Sequence, residues 1–242
     1  MPGLAWLLSL SSIALVACGG GPDPPPAAPQ RDVPSAPAPI RAEPGETLAV
    51  KVLEPVVLRD SPGGRVVSKV ATKTEFDSDS VMAVMRVRGR WLGVHWPWLD
   101  NGELGWVRMS ERLQLLREPW RVRVDISART ATLLKRGEEV GSFAVAVGAA
   151  ATPTPPGRYG VTDRLSTGGP GSTYGCCVLA VSGRQPNVPQ EWPGGDRLAI
   201  HGTNAPETIG TAASNGCLRA SEESMRLLIR RVPLGAQVVI RE

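Results

Sequence analysis

Two residues of this chain stand out as able to do chemistry together, His201 and Cys217, sixteen positions apart. His201 lies in Ile200-His201-Gly202-Thr203-Asn204, and Cys217 lies in Ser214-Asn215-Gly216-Cys217-Leu218-Arg219. A thiol attacks only as thiolate, and a free pKa of about 8.5 leaves it mostly protonated at neutral pH. It therefore needs a base or a positive field nearby, and imidazole is the usual activator. Gly216, just before the thiol, lets backbone approach a substrate closely and can leave amides to hold an oxyanion. The pair on spacing alone fits a second reading, in which the thiol is an inert core residue and the imidazole is structural.

The elements that must hold these residues are short strands. Arg121 to Ile126 alternates, as do parts of Ala131 to Val147, so strands open the second half of the chain. Thr152-Pro153-Thr154-Pro155-Pro156-Gly157 is a rigid turn, and further strands are expected around Val178 to Val181 and Leu198 to His201. Ser221 is a good N-cap, followed by Glu222 and Glu223. Met225, Leu228, Ile229 and Val232 then keep helical spacing until Pro233 stops the helix. Ala236 to Ile240 is a closing strand.

Residues 119–242 resemble the L,D-transpeptidase (YkuD-type) catalytic domain, through His-Gly-Thr-Asn, then Ile209-Gly210, then Ser-x-Gly-Cys-Leu-Arg. The upstream run from Val147-Gly148 to Arg158-Tyr159 is also similar to that family. The resemblance implies a β-sandwich-like domain that cuts a peptidoglycan stem before D-alanine and passes the acyl group to an acceptor amine. That transfer crosslinks the wall or attaches a protein. It implies Cys217 as nucleophile, His201 as base, the Gly202 carbonyl as orienter of the imidazole, and the amides of Gly216 and Cys217 as oxyanion donors. Arg219 would pair with a substrate carboxylate or fix the loop. Ser214, Asn215, Thr203, Tyr174 and Tyr159 are further substrate-site candidates. Asn215 departs from the family, which usually has His there. Asn can donate a hydrogen bond but cannot titrate near neutral pH. Cys176-Cys177, beside Tyr174-Gly175, would be either inert core thiols or a partner that pairs with Cys217 and silences it. Hydrolysis of the same substrates, or a non-catalytic peptidoglycan-binding lipoprotein, are the rival readings. No metal or organic cofactor is implied.

The first half reads differently. Leu48 to Leu53, Val56 to Arg59, Val66 to Val70, Val81 to Val87 and Trp91 to His95 are strand-like runs. Ser61-Pro62-Gly63-Gly64 and Asp100-Asn101-Gly102 are turns between them, which suggests a small barrel over residues 47–116. Val57 to Gly63, Gly89 to Val94 and Gly105-Trp106-Val107 resemble the bacterial Src-homology-3-like domain, which often accompanies wall-modifying enzymes. Trp96 and Trp98 are either a ligand-binding aromatic patch or core. His95 is expected to be structural.

Leu4 to Val16 is too short and too interrupted to span a bilayer but suits a signal-peptide core. Leu15-Val16-Ala17-Cys18 resembles the bacterial lipobox, although no Lys or Arg precedes the apolar stretch. The resemblance implies a signal peptide over residues 1–17 and a lipidated Cys18. It places the mature chain on the periplasmic side of the envelope, anchored by lipid, with an outer membrane favoured if one is present. The Pro- and Ala-rich stretch within residues 18–46 would be an extended tether.

Composition bounds the alternatives. The chain has 242 residues, with 27 Gly, 23 Pro, four Cys and two His, and a net charge of +4. High Gly and Pro argue against a helical bundle, and two histidines cannot build a histidine-rich metal site. The basic residues are spread along the chain without a compact tract, so nucleic acid is not an expected partner. The expected fold is mainly β: a small barrel, then a β-sandwich-like catalytic domain with one helix near its end.

Overall fold

The computed structural model describes residues 39–169, 171–188 and 195–242. The signal-like segment, the expected lipidation position Cys18 and the Pro- and Ala-rich stretch as far as residue 38 lie outside the described residues. The chain is mainly β, with one α-helix among the described residues.

The first sheet is built from β1 (Thr47–Val52), β2 (Val56–Arg59), β3 (Val66–Val70), β4 (Val81–Arg88), β5 (Trp91–Val94), β6 (Gly105–Arg108) and β7 (Leu113–Glu118). Their order is β3-β2-β6-β5-β4-β1-β7, and every pairing is antiparallel. Short strands follow from the turn chemistry between them. In the β2–β3 turn, Asp60 Oδ1 accepts from the Arg65 amide at 3.1 Å, and Gly63 takes φ +79°. One face carries Leu48, Val50, Leu58, Leu92, Val94 and Trp96 into a single core. Trp96 is therefore a core residue and no part of a surface patch. Trp98 is exposed, with the Arg184 guanidinium 5.8 Å from its ring centre.

The second half contains β8 (Trp120–Asp125), β9 (Thr130–Lys135), β10 (Glu138–Ala144), β11 (Val147–Gly148), β12 (Gly157–Ser166), β13 (Cys177–Arg184), β14 (Arg197–His201), β15 (Ala212–Ser214), β16 (Leu218–Arg219), α1 (Glu222–Arg231) and β17 (Gln237–Arg241). Eight of these strands form one sheet, ordered β10-β9-β8-β17-β12-β13-β14-β16. β11 and β15 pair separately and in parallel. The last strand, β17, is central: it runs parallel to β8 and antiparallel to β12. Helix α1 starts where Ser221 Oγ accepts from the Ser224 amide at 3.2 Å. Glu222 and Glu223 in its first turn and Arg230 and Arg231 in its last complement the helix dipole. Met225 and Leu228 bury one helix face in the core formed by Val122, Leu133, Val161, Leu179 and Val238.

Residues 39–242 form one unit, because the two sheets meet along a tight seam. Gly160 of β12 and Gly235 leave no room for side chains: an added Cβ would lie 2.6 Å from Ala83 Cβ and from Ala49 Cβ respectively. The Gln237 amide donates to the Val84 carbonyl at 2.9 Å. Asn101 pairs with the Arg184 backbone in both directions, at 2.6 and 2.9 Å, as a neighbouring strand would. His95 belongs to the seam. Its Nε2 can only donate to the Asp100 carbonyl, at 3.2 Å, so its Nδ1 accepts from Ser182 Oγ at 2.9 Å.

Glu118, at the junction of the two halves, is buried, and its Oε1 accepts from the Trp120 amide at 2.9 Å. Burial raises its carboxyl to about 7, with Glu46 adding to the rise and the Trp120 hydrogen bond opposing it. The unfolded chain ionises this group near 4.5, and the folded chain only near 7. Its contribution is thus fully present below pH 4.5 and is lost as pH rises toward 7. Glu118→Gln keeps the acceptor and removes the titration. Urea midpoints at pH 5 and pH 8 will show the variant gaining stability relative to wild type at the higher pH.

Candidate active site

The pairing of β14 with β16 builds the site. The two strands run parallel, with Ile200 beside Leu218 and His201 beside Arg219. Side chains alternate faces along a strand. Ile200 and Leu218 therefore enter the main core, while Ala199, His201, Cys217 and Arg219 line a cavity of about 440 Å³ on the other face. Tyr174, Ser214, Asn215 and Gln185 also border it.

His201 is buried, and its Nδ1 lies 2.5 Å from the Gly202 carbonyl oxygen. A carbonyl only accepts, so Nδ1 carries the proton and Nε2 keeps a free lone pair. The Tyr174 ring meets the imidazole edge-on, 5.0 Å between centres. Burial lowers the His201 pKa to about 4, the charge of Arg219 pushes the same way, and the Gly202 hydrogen bond opposes it. Cys217 is a free thiol whose Sγ contacts the Arg197 carbonyl at 3.6 Å. Burial pushes its pKa up, against the Ala199 backbone and the Arg219 charge. Both shifts favour the neutral thiol and neutral imidazole over the ion pair.

The turn before the thiol is tied from several sides. Ser214 Oγ donates to the Cys217 carbonyl at 2.5 Å and accepts from the Gly216 amide at 3.0 Å. Thr154 Oγ1 donates to the Gly216 carbonyl at 2.8 Å and accepts from the Gly148 amide at 2.8 Å. Gly216 has φ +112°, and a Cβ there would come within 2.3 Å of Gln185 Nε2. The Gln185 amide in turn donates to the Pro153 carbonyl at 2.7 Å. The Gly216 amide is thus engaged with Ser214 instead of being open for an oxyanion. The Cys217 amide has no hydrogen-bond partner among the described residues.

On the imidazole side, Glu222 has a place that its helix position did not announce. Its Oε1 accepts from the Cys176 amide at 2.9 Å. Added Cβ atoms on Gly175 and Gly202 would lie 2.2 and 2.8 Å from that same oxygen. Cys176 and Cys177 are joined to each other by a disulfide, so neither expected arrangement, two inert thiols or a bond to Cys217, is present. Two candidates fall away from the cavity. Tyr159 is wholly buried, its hydroxyl within 3.3 Å of the carbonyls of Pro155 and Pro156, and burial raises its pKa to about 12. Thr203 is buried and its Oγ1 accepts from the Ala205 amide at 3.0 Å, which shapes the following loop. Sequence reasoning missed Gln185, Thr154, Arg197 and Glu222 as supports. Only Thr154, inside the Pro-rich turn, carried a local signal.

The model of the YkuD family, the L,D-transpeptidase catalytic domain, matches residues 119–240, half of the chain. The chain belongs to that family. The YkuD proteins of Bacillus licheniformis and Bacillus subtilis are 33% and 32% identical over 122 residues, half of this chain. The chain spans 66% of the length of each. Among solved structures, an L,D-transpeptidase from Mycobacterium tuberculosis is 22% identical, with a TM-score of 0.41, covering 60% of this chain and 74% of that one. An LD transpeptidase solved in complex with imipenem is 15% identical, with a TM-score of 0.40, covering 66% of this chain and 98% of that one.

The chain has only two histidines, and burial lowers the pKa of both. Imidazole NMR titration will find His201 neutral at pH 6 and charging only near pH 4, with His95 charging below the usual imidazole range. A midpoint near 6.5 for His201 would contradict the buried, Nδ1-protonated arrangement.

Proposed function

We propose that the chain is a cysteine-dependent L,D-transpeptidase of peptidoglycan. The observation that carries this reading is the shared face of β14 and β16, which turns Cys217 and His201 into one cavity while Gly202 leaves His201 Nε2 unprotonated. In the reaction, the Cys217 thiol gives its proton to Nε2 as sulfur adds to the stem carbonyl carbon. The tetrahedral oxyanion is held by the Cys217 amide. The C–N bond then breaks, D-alanine leaves with the proton returned by His201, and a thioester remains. An acceptor amine attacks the thioester and gives a proton to Nε2, and the C–S bond breaks to restore the thiol.

Arg219 lines the cavity and has no carboxylate partner among the described residues, which suits it to a carboxylate of the stem. Asn215 borders the same rim and offers an amide where a titrating group is absent. The first sheet is read as the Src-homology-3-like domain. Cys18 is read as the lipid anchor that holds the mature chain at the periplasmic side of the envelope. The acceptor amine belongs to a neighbouring stem or to a wall-attached protein.

Incubation of the chain with imipenem, read by intact mass, will give one covalent adduct on Cys217. Cys217→Ala will give none. His201→Ala will slow turnover of a disaccharide-tetrapeptide by about 10²- to 10⁴-fold, the range for loss of a general base. Equal labelling of wild type and Cys217→Ala would sink the proposal. Product masses from the same substrate separate amine transfer from hydrolysis.

A further inference from the structure

One wall of the cavity comes from the other half of the molecule. Phe76 lies on the 72–79 loop between β3 and β4 of the first sheet, yet it lines the cavity that holds Cys217. It is a large apolar side chain left 46% exposed. The loop beneath it is closed on itself. The Thr74 amide donates to the Ser78 carbonyl at 2.9 Å, and Thr74 Oγ1 accepts from the amides of Phe76 and Ser78 at 3.3 and 3.2 Å.

The loop is also fastened to the catalytic half. Thr74 Oγ1 donates to Asp163 Oδ1 at 2.5 Å, and Glu75 pairs with Arg197. The Arg197 guanidinium continues to Asp163 Oδ2 at 3.3 Å and Thr162 Oγ1 at 2.7 Å. Asp163 is fully buried, and a buried carboxylate needs such partners. Arg197 opens β14, and its own carbonyl faces Cys217 Sγ. One residue therefore touches both the loop of the first sheet and the sulfur. The floor between Phe76 and the thiol is apolar. Val178, Ala180 and Ala199 form a small cluster of their own with Leu165 and Cys217, on the faces of β13 and β14 that point away from the main core. Small alanines leave room above them, and polar side chains, among them Gln185, Asp196, Arg197, Asn215, Tyr174 and Arg219, line the rest of the cavity.

We propose that Phe76 is a specificity-determining residue of the substrate site: the first sheet supplies a wall against which an aliphatic stretch of the substrate peptide packs on its way to Cys217. This rests on the transpeptidase reading for the identity of the peptide. An aliphatic segment with polar ends fits an apolar floor bounded by polar groups. Closing Phe76 over it would remove from water an aromatic face that the folded chain otherwise leaves wet.

The test uses the full chain carrying Cys217→Ala, which cannot be acylated, and measures disaccharide-tetrapeptide binding by titration calorimetry. Adding Phe76→Ala is expected to weaken binding about tenfold, while Phe76→Leu stays within about threefold of the parent. Phe76 sits on the surface and its loop is held through Thr74 and Glu75, so both variants keep their fold, which circular dichroism verifies. Equal affinity with and without Phe76→Ala would overturn the proposal, and so would absence of binding in the parent. The imipenem adduct on the otherwise wild-type chain is the separate readout for the reaction. If that adduct is absent but Phe76→Ala still weakens binding, the reaction fails and the wall stands.

Discussion

Everything at the site depends on two residues of parallel pairing. β16 is only Leu218–Arg219, and its register against β14 decides which side chains meet. A slip by one position would send Cys217 into the core and Leu218 into the cavity, because faces alternate residue by residue. The register is locked from below by burial of Ile200 and Leu218. It is locked from the side by the antiparallel bridge between Arg219 and Ala146. Two residues of strand cannot hold this alone, and the hydrogen bonds of Ser214, Thr154 and Gln185 supply the rest.

Glycine is what allows the neighbouring backbones to come so close. Gly175 and Gly202 press together around the Glu222 carboxylate, and Gly216 lies against the Gln185 amide. At each point a Cβ would stand within 3 Å of a heavy atom, so even alanine would force the site apart. The same device recurs at the seam between the sheets, at Gly160 and Gly235. Glycine thus fixes both the shape of the site and the docking of the first sheet, and the two are linked through the Arg197 cluster.

Much of this was legible in the sequence. The alternation and turn residues of the first half gave its strands to within a residue or two at β2, β3, β4 and β5, and Ser221 and Pro233 bracketed the helix. The longest strand, β12, was not legible. Its Gly157-Arg158-Tyr159-Gly160-Val161-Thr162-Asp163 has no apolar alternation, because it is covered on both sides and its polar residues have partners only in the fold. Tyr159, a substrate-site candidate by resemblance, lies instead in the core. The Cys217–His201 pair was visible by resemblance, but the supports around it were not. Gln185, Glu222 and Arg197 act across sequence distances of roughly 30 to 120 residues, where no local pattern exists. Trp96 and Trp98, two residues apart, were indistinguishable by composition and separate only by which side of the chain meets the core.

The bond between Cys176 and Cys177 changes the thiol stoichiometry of the chain. Adjacent cysteines closed into one ring carry no free thiol, so a reagent that reads free thiols on residues 39–242 reports a single equivalent. That equivalent is Cys217. A maleimide dye or a mercurial therefore marks the cavity alone among these residues, and counting thiols in the folded chain becomes a measure of whether that one sulfur is open to solvent.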